Sequence, residues 1–138
     1  MLPEFVEYAA WLAALPTRYT TIQSSTLRTF TIGPAAAEVE GQLTFQDDYI
    51  LDIWELLDLN ERTIRYYSYE LEHRGKRLWW YDPQEHPNNP ALASTHPHHK
   101  HTPPDIKHNR IPAPGISFTE PNLPFLIKEI EQLIQEKS

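Results

Sequence analysis

"RTIRYYSYELEHRGKRLWWYD", residues 62–82, decides the fold. Two runs rich in aromatic and β-branched residues, RTIRYYSYELEH and KRLWWYD, flank Arg74-Gly75, and that dipeptide has the composition of a β-hairpin connection. Successive side chains of a strand point to opposite faces, so Arg65, Tyr67 and Tyr69 are expected on one side of the first run.

The pattern continues upstream. YILDIWELLDL, residues 49–59, alternates Ile50, Asp52, Trp54 and Leu56 with Tyr49, Leu51, Ile53, Glu55 and Leu57. Its shortness and its β-branched and aromatic residues on both faces favour a strand over a helix. EVEGQLTFQDD before it is a further strand that ends in the polar turn Gln46-Asp47-Asp48. TLRTFTI, ending at Ile32, is a first strand broken by Gly33-Pro34. Five strands in sequence predict an antiparallel meander.

Helices bracket it. Phe5, Tyr8, Leu12 and Leu15 recur at helical spacing over residues 4–15, and Pro16 is a plausible stop. At the other end, PNLPFLIKEIEQLIQEKS places Leu123, Leu126, Ile127, Ile130, Leu133 and Ile134 on one face and charged residues on the other. The fold class predicted is therefore α+β: a curved five-stranded antiparallel meander with N-terminal and C-terminal helices. A long His/Pro-rich loop, about 83–115, crosses one sheet face, and the C-terminal helix covers the other. The 138 residues suit a single domain, 1–138.

Composition narrows the function classes. No cysteine is present, so disulfides, thiolate metal sites and cysteine nucleophiles drop out. The formal charge of −7 argues against a surface that grips nucleic acid throughout. The local balance differs: from His96 to Arg110, Lys100, Lys107 and Arg110 face only Asp105, and five histidines add to them if protonated. The N-terminal run has Glu4 and Glu7 in place of a basic region, and no stretch of about 18 apolar residues occurs, so no membrane partner and a cytoplasmic location are expected.

The densest chemistry is STHPHHKH, residues 94–101. As a metal site, His96, His98 and His101 would converge in a curled loop, with zinc the natural ion, although the spacing matches no zinc signature such as HExxH. As a site for phosphate chemistry, two histidines supply a general acid and a general base near neutral pH, with Lys100 stabilising charge on a phosphoryl oxygen. RNA cleavage of that kind needs no cofactor, because the ribose 2′-hydroxyl is the nucleophile. Arg65, Tyr67 and Tyr69, with Asp82 and His86 at the exit of the fifth strand, are helpers. The plainer reading is that loop histidines bond carbonyls left over by the six prolines from Pro83 to Pro104.

The order of these segments resembles the TumE-type family of toxin–antitoxin proteins. Members carry an apolar DGS hairpin, an RYSYHY-like strand, an RYDNAPHH segment and a TFPHHKH segment, followed by a helix. The corresponding positions are Gln46-Asp47-Asp48, Arg65-Tyr66-Tyr67-Ser68-Tyr69, Trp80-Tyr81-Asp82, His86-Pro87 and Thr95 to His101, and the resemblance spans about residues 25–135. PHHKH is the specific string. Trp80 stands where the family has arginine, Pro83 replaces asparagine, and the paired histidines are reduced to His86-Pro87. The resemblance implies a small cytoplasmic toxin neutralised by a cognate helix-turn-helix antitoxin, and leaves a homo-oligomer open.

The expected function is a toxin acting as a metal-independent ribonuclease. His98 and His101 are the acid and base, Lys100 and Arg65 stabilise charge, and Tyr67 or Tyr69 positions RNA. His96, His99, Asp82 and His86 are orienting groups or ligands. The alternative is a non-catalytic binding module with a structural or metal-binding histidine loop.

Overall fold

The computed structural model describes residues 1–83 and 97–137. Helix α1 spans Phe5–Ala13, and a short α2 follows over Leu15–Arg18. Pro16 sits in the first turn of α2 instead of stopping the chain, where its missing N–H has no helical acceptor to lose. Strands β1 (Ile22–Ser25), β2 (Arg28–Ile32), β3 (Ala36–Phe45), β4 (Tyr49–Asp58), β5 (Thr63–His73), β6 (Lys76–Asp82), β7 (His99–His101) and β8 (Arg110–Pro112) precede helix α3, Leu123–Lys137.

The class is α+β, as the periodicities predict, but the sheet has eight strands among the described residues instead of five. Its order is β1-β3-β4-β5-β6-β7-β8, with β2 also on β3 and every pair antiparallel. β1 and β2 share one edge of β3 and are interrupted opposite Gly41. A Cβ on Gly41 would fall 2.5 Å from the Thr26 carbonyl oxygen, and its φ of 140° suits glycine alone. Two further strands lie in the stretch read as an irregular loop. β7 pairs with β6 and β8 with β7, so this part of the chain extends the sheet edge instead of crossing a face. Three-residue strands carry no readable periodicity; hydrogen bonding to a distant neighbour defines them.

The turns follow their chemistry. Asp47 and Asp48 both take positive φ between β3 and β4, and Arg74 and Gly75 do so between β5 and β6. Two consecutive positive φ values match the right-handed twist of the flanking strands.

One face of the sheet carries the core: Val39, Leu43, Leu51, Ile53, Leu57, Tyr67, Tyr69, Leu71, Trp79 and Tyr81 are buried there. Tyr8 and Leu12 of α1 and Leu123, Leu126, Ile127 and Ile130 of α3 are buried in the same apolar cluster. The opposite face holds half-buried Trp54, Ser68 and Trp80 beside exposed Asp52 and Tyr66. No helix among the described residues is long and apolar enough to cross a membrane.

Candidate functional site

The β6–β7 register sets Asp82 opposite His99, Tyr81 opposite Lys100 and Trp80 opposite His101. Alternation in β7 then sends His99 and His101 to the face of Trp80 and Asp82, and Lys100 to the helical face. Lys100 Nζ pairs with the Glu129 carboxylate of α3 at 3.0 Å and lies 5.2 Å from the centre of the Tyr81 ring.

His99 and His101 are 1% and 2% exposed, and Asp82 is 7% exposed. His99 Nδ1 is 3.1 Å from the Pro97 carbonyl oxygen, and His101 Nδ1 is 2.8 Å from that of Ile106. A carbonyl only accepts, so Nδ1 carries the donated proton in both rings. The two Nε2 atoms stand 3.2 Å apart. His99 Nε2 is 2.6 Å from Asp82 Oδ1, and His101 Nε2 is 3.2 Å from Oδ2. Burial pushes the His101 imidazole below its ordinary value, against an opposing pull from the Asp82 carboxylate. The Trp80 ring stacks on His101 with centroids 4.6 Å apart, and its indole N–H donates to Ser68 Oγ at 2.9 Å. Trp80 is thus a wall of the cluster.

Beside the cluster an open groove of about 650 Å³ is lined by Arg65, Tyr66, Tyr67, Ser68, Trp80, Asp82, Pro83, Pro97 and Phe118. It forms where β5 runs past the end of β6, because their pairing begins only at Tyr69 and Tyr81. A register shift in β5, with Leu56 opposite Tyr66 but Leu57 opposite Ile64, makes Arg65 an extra residue. Arg65 and Tyr66 are both exposed while Tyr67 is buried, so the single face expected for Arg65, Tyr67 and Tyr69 is broken between Arg65 and Tyr67.

The Tyr67 hydroxyl is 2.6 Å from His98 Nδ1, and the His98 ring is centred 4.5 Å from that of Phe118. Burial, then the charge of Asp82, raises the Tyr67 hydroxyl above the ordinary phenol value, so it stays protonated and can donate. His98 therefore packs on Tyr67 and Phe118 of the groove, and His101 on Trp80 and Asp82 of it.

Among the expected residues the fold brings Asp82, His99 and His101 together, sets His98 and Tyr67 beside them, and leaves Arg65 across the groove. Lys100 is on the other face. Tyr69 is fully buried, donating to Glu55 Oε2 at 2.5 Å and accepting from Asn122 Nδ2 at 3.0 Å. His86 and His96 lie outside the described residues. Sequence reasoning gave no site role to Tyr66, Trp80 or Phe118. Phe118 reaches the groove only because its carbonyl accepts from the Ile64 N–H at 2.7 Å, a contact across more than fifty residues that no local signal announces.

No curated protein and no solved structure matches the chain. A family model described as Toxin TumE matches residues 12–134, a span that contains the whole sheet, the groove and the histidine cluster. With nearly the whole chain matched, and PHHKH forming the strand that builds the cluster, the chain belongs to the TumE toxin family.

Proposed function

We propose that this toxin acts by cleaving RNA in the groove at the end of β5 and β6. Family membership makes it the toxin of a toxin–antitoxin system, with an antitoxin as its partner. The observation that carries the finer reading is the juxtaposition of Arg65 and the 55% exposed Tyr66 with Trp80 and Asp82 around one open groove. An exposed aromatic stacks on an unpaired base, and a guanidinium pairs with a phosphate.

In this reading the ribose 2′-oxygen attacks the adjacent phosphorus. The bond to the 5′-oxygen breaks and a 2′,3′-cyclic phosphate remains. His98, next to the Tyr67 hydroxyl, makes one proton transfer, and the Asp82–His99–His101 cluster makes the other. Arg65 stabilises the charge that develops on the phosphoryl oxygens. The 2′-hydroxyl is the nucleophile with or without an ion in the cluster. RNA as target places the action in the cytoplasm. The net charge of −7 suits an antitoxin with a basic helix-turn-helix DNA-binding domain.

The test is incubation of the purified chain with cellular RNA, followed by an oligonucleotide spanning a mapped cut and its counterpart with a single 2′-deoxyribose at that cut. Cleavage of the all-ribose strand alone, ending in a cyclic phosphate, is expected. His98→Ala should slow it by about 10²–10⁴-fold and Arg65→Ala by about 10²–10³-fold. Equal cutting of the deoxy-substituted strand would overturn the mechanism. Growth arrest on induction with all RNA intact would overturn RNA as the target.

A second reading, a non-catalytic binding module, draws on the commitment of both buried histidines to backbone carbonyls, as structural histidines are committed. It predicts that His98→Ala leaves growth arrest unchanged.

A further inference from the structure

We propose that Asp82, His99 and His101 form a three-ligand site for a divalent transition-metal ion of the zinc type. Each imidazole faces a backbone carbonyl through Nδ1, and a neutral ring with its proton there presents a lone pair at Nε2. The two Nε2 atoms converge on each other and on a carboxylate, with 3.2 Å between the nitrogens and 2.6 and 3.2 Å to the two carboxylate oxygens. A cation among them would balance the charge of the buried carboxylate.

The arrangement suits a metal ion in three respects. One ligating atom from each residue lies within 4.8 Å of the others, and imidazole and carboxylate are donors zinc accepts. Donors about 2.0–2.2 Å from a tetrahedral zinc stand roughly 3.3–3.5 Å apart, so only a small turn of the Asp82 carboxylate is needed to admit the ion. The bonds from Nδ1 to the carbonyls of Pro97 and Ile106 are the outer contacts that fix the orientation of metal-ligating histidines. The ligands also come from two paired strands with their register set, so they are held before any ion arrives.

Three protein ligands leave a fourth position on a tetrahedral ion. Asp82 borders the groove, so that position would hold a water, the group that would make the cluster's proton transfer whenever the ion is bound. The site stands independently of RNA cleavage.

The full chain is stripped with chelator, loaded with zinc and passed through gel filtration, and its metal is measured by elemental analysis. Near-stoichiometric zinc in the wild type is expected, with affinity by chelator competition at least ~10-fold weaker in Asp82→Asn and His99→Gln. Cobalt loading should give the visible absorption of a low-coordinate site, lost in Asp82→Asn. Because His101→Ala removes packing under Trp80 and risks misfolding, Asp82→Asn is the deciding variant: zinc should raise the wild-type melting temperature and leave that of Asp82→Asn unmoved. A wild type that retains no zinc, or an Asp82→Asn protein that retains as much, would overturn the site. Zinc binding without RNA cleavage would keep the site and remove the ribonuclease reading; cleavage without zinc binding would do the reverse.

Discussion

Glu55 and Asp82 are both buried in the sheet, on opposite faces, and they have opposite surroundings. On the helical face, Tyr8 donates to Glu55 Oε1 at 2.6 Å and Tyr69 to Oε2 at 2.5 Å, so each carboxylate oxygen meets a hydroxyl that has a proton to give. On the other face, Asp82 meets imidazoles whose Nδ1 protons go to Pro97 and Ile106. Burial alone does not distinguish a structural carboxylate from a functional one. The kind of neighbour differs: two hydroxyls close the Glu55 network, one on each oxygen, whereas Asp82 faces two imidazoles, groups that also bind metal ions.

The comparison breaks most visibly at Glu55. Replacing it with alanine should cost about 3–5 kcal/mol in urea unfolding, since each stranded buried hydroxyl costs about 1–3 kcal/mol and a cavity adds to it. A loss below about 1 kcal/mol would mean that Tyr8 and Tyr69 find other acceptors and that Glu55 is no keystone.

A smaller effect follows from its protonation. Burial raises the Glu55 carboxyl above the ordinary range, against the opposing hydrogen bonds from the two tyrosines. Between an unfolded value of about 4.3 and that raised value, the folded chain holds a proton that the unfolded chain has released. Stability from this group is therefore full below about pH 4.3 and declines as pH rises through the folded value. Glu55→Gln should flatten that part of the profile of unfolding free energy against pH. An unchanged slope would place the titration elsewhere.

Lys100 comes next. Its ion pair with Glu129 and its place over the Trp79 and Tyr81 rings are worth about 1 kcal/mol together. Lys100→Ala should lower stability by that amount and leave cleavage in the groove unaffected. A large fall in cleavage at unchanged stability would restore it to the site.

The smallest change is expected at Asp82. Without metal, Asp82→Asn should change stability by less than about 1 kcal/mol, because the amide keeps an oxygen for a histidine N–H and offers an N–H to the other Nε2. A loss above about 2 kcal/mol would show that the carboxylate's charge holds the cluster together without metal.

Much of the fold is legible along the chain. The strands β3 to β6, their two turns and the buried face of α3 emerge from alternation, turn composition and helical spacing, because each is long enough for a period to show. The site is less so. PHHKH marks the segment whose histidines meet Asp82, but the reading of one irregular loop places Lys100 and His101 together. Strand pairing separates them. Arg65 was expected on the face of Tyr67, and a one-residue bulge moves it, since register depends on the partner strand.

The sequence by itself therefore determined the class of the domain, its central hairpins and the segment in which the histidines gather, since these rest on patterns within a dozen residues. Only the tertiary structure decided that His99 and His101 face Asp82 while Lys100 faces α3. That choice is made by hydrogen bonds from β7 to β6 and β8, and over three residues no local preference is strong enough to make it.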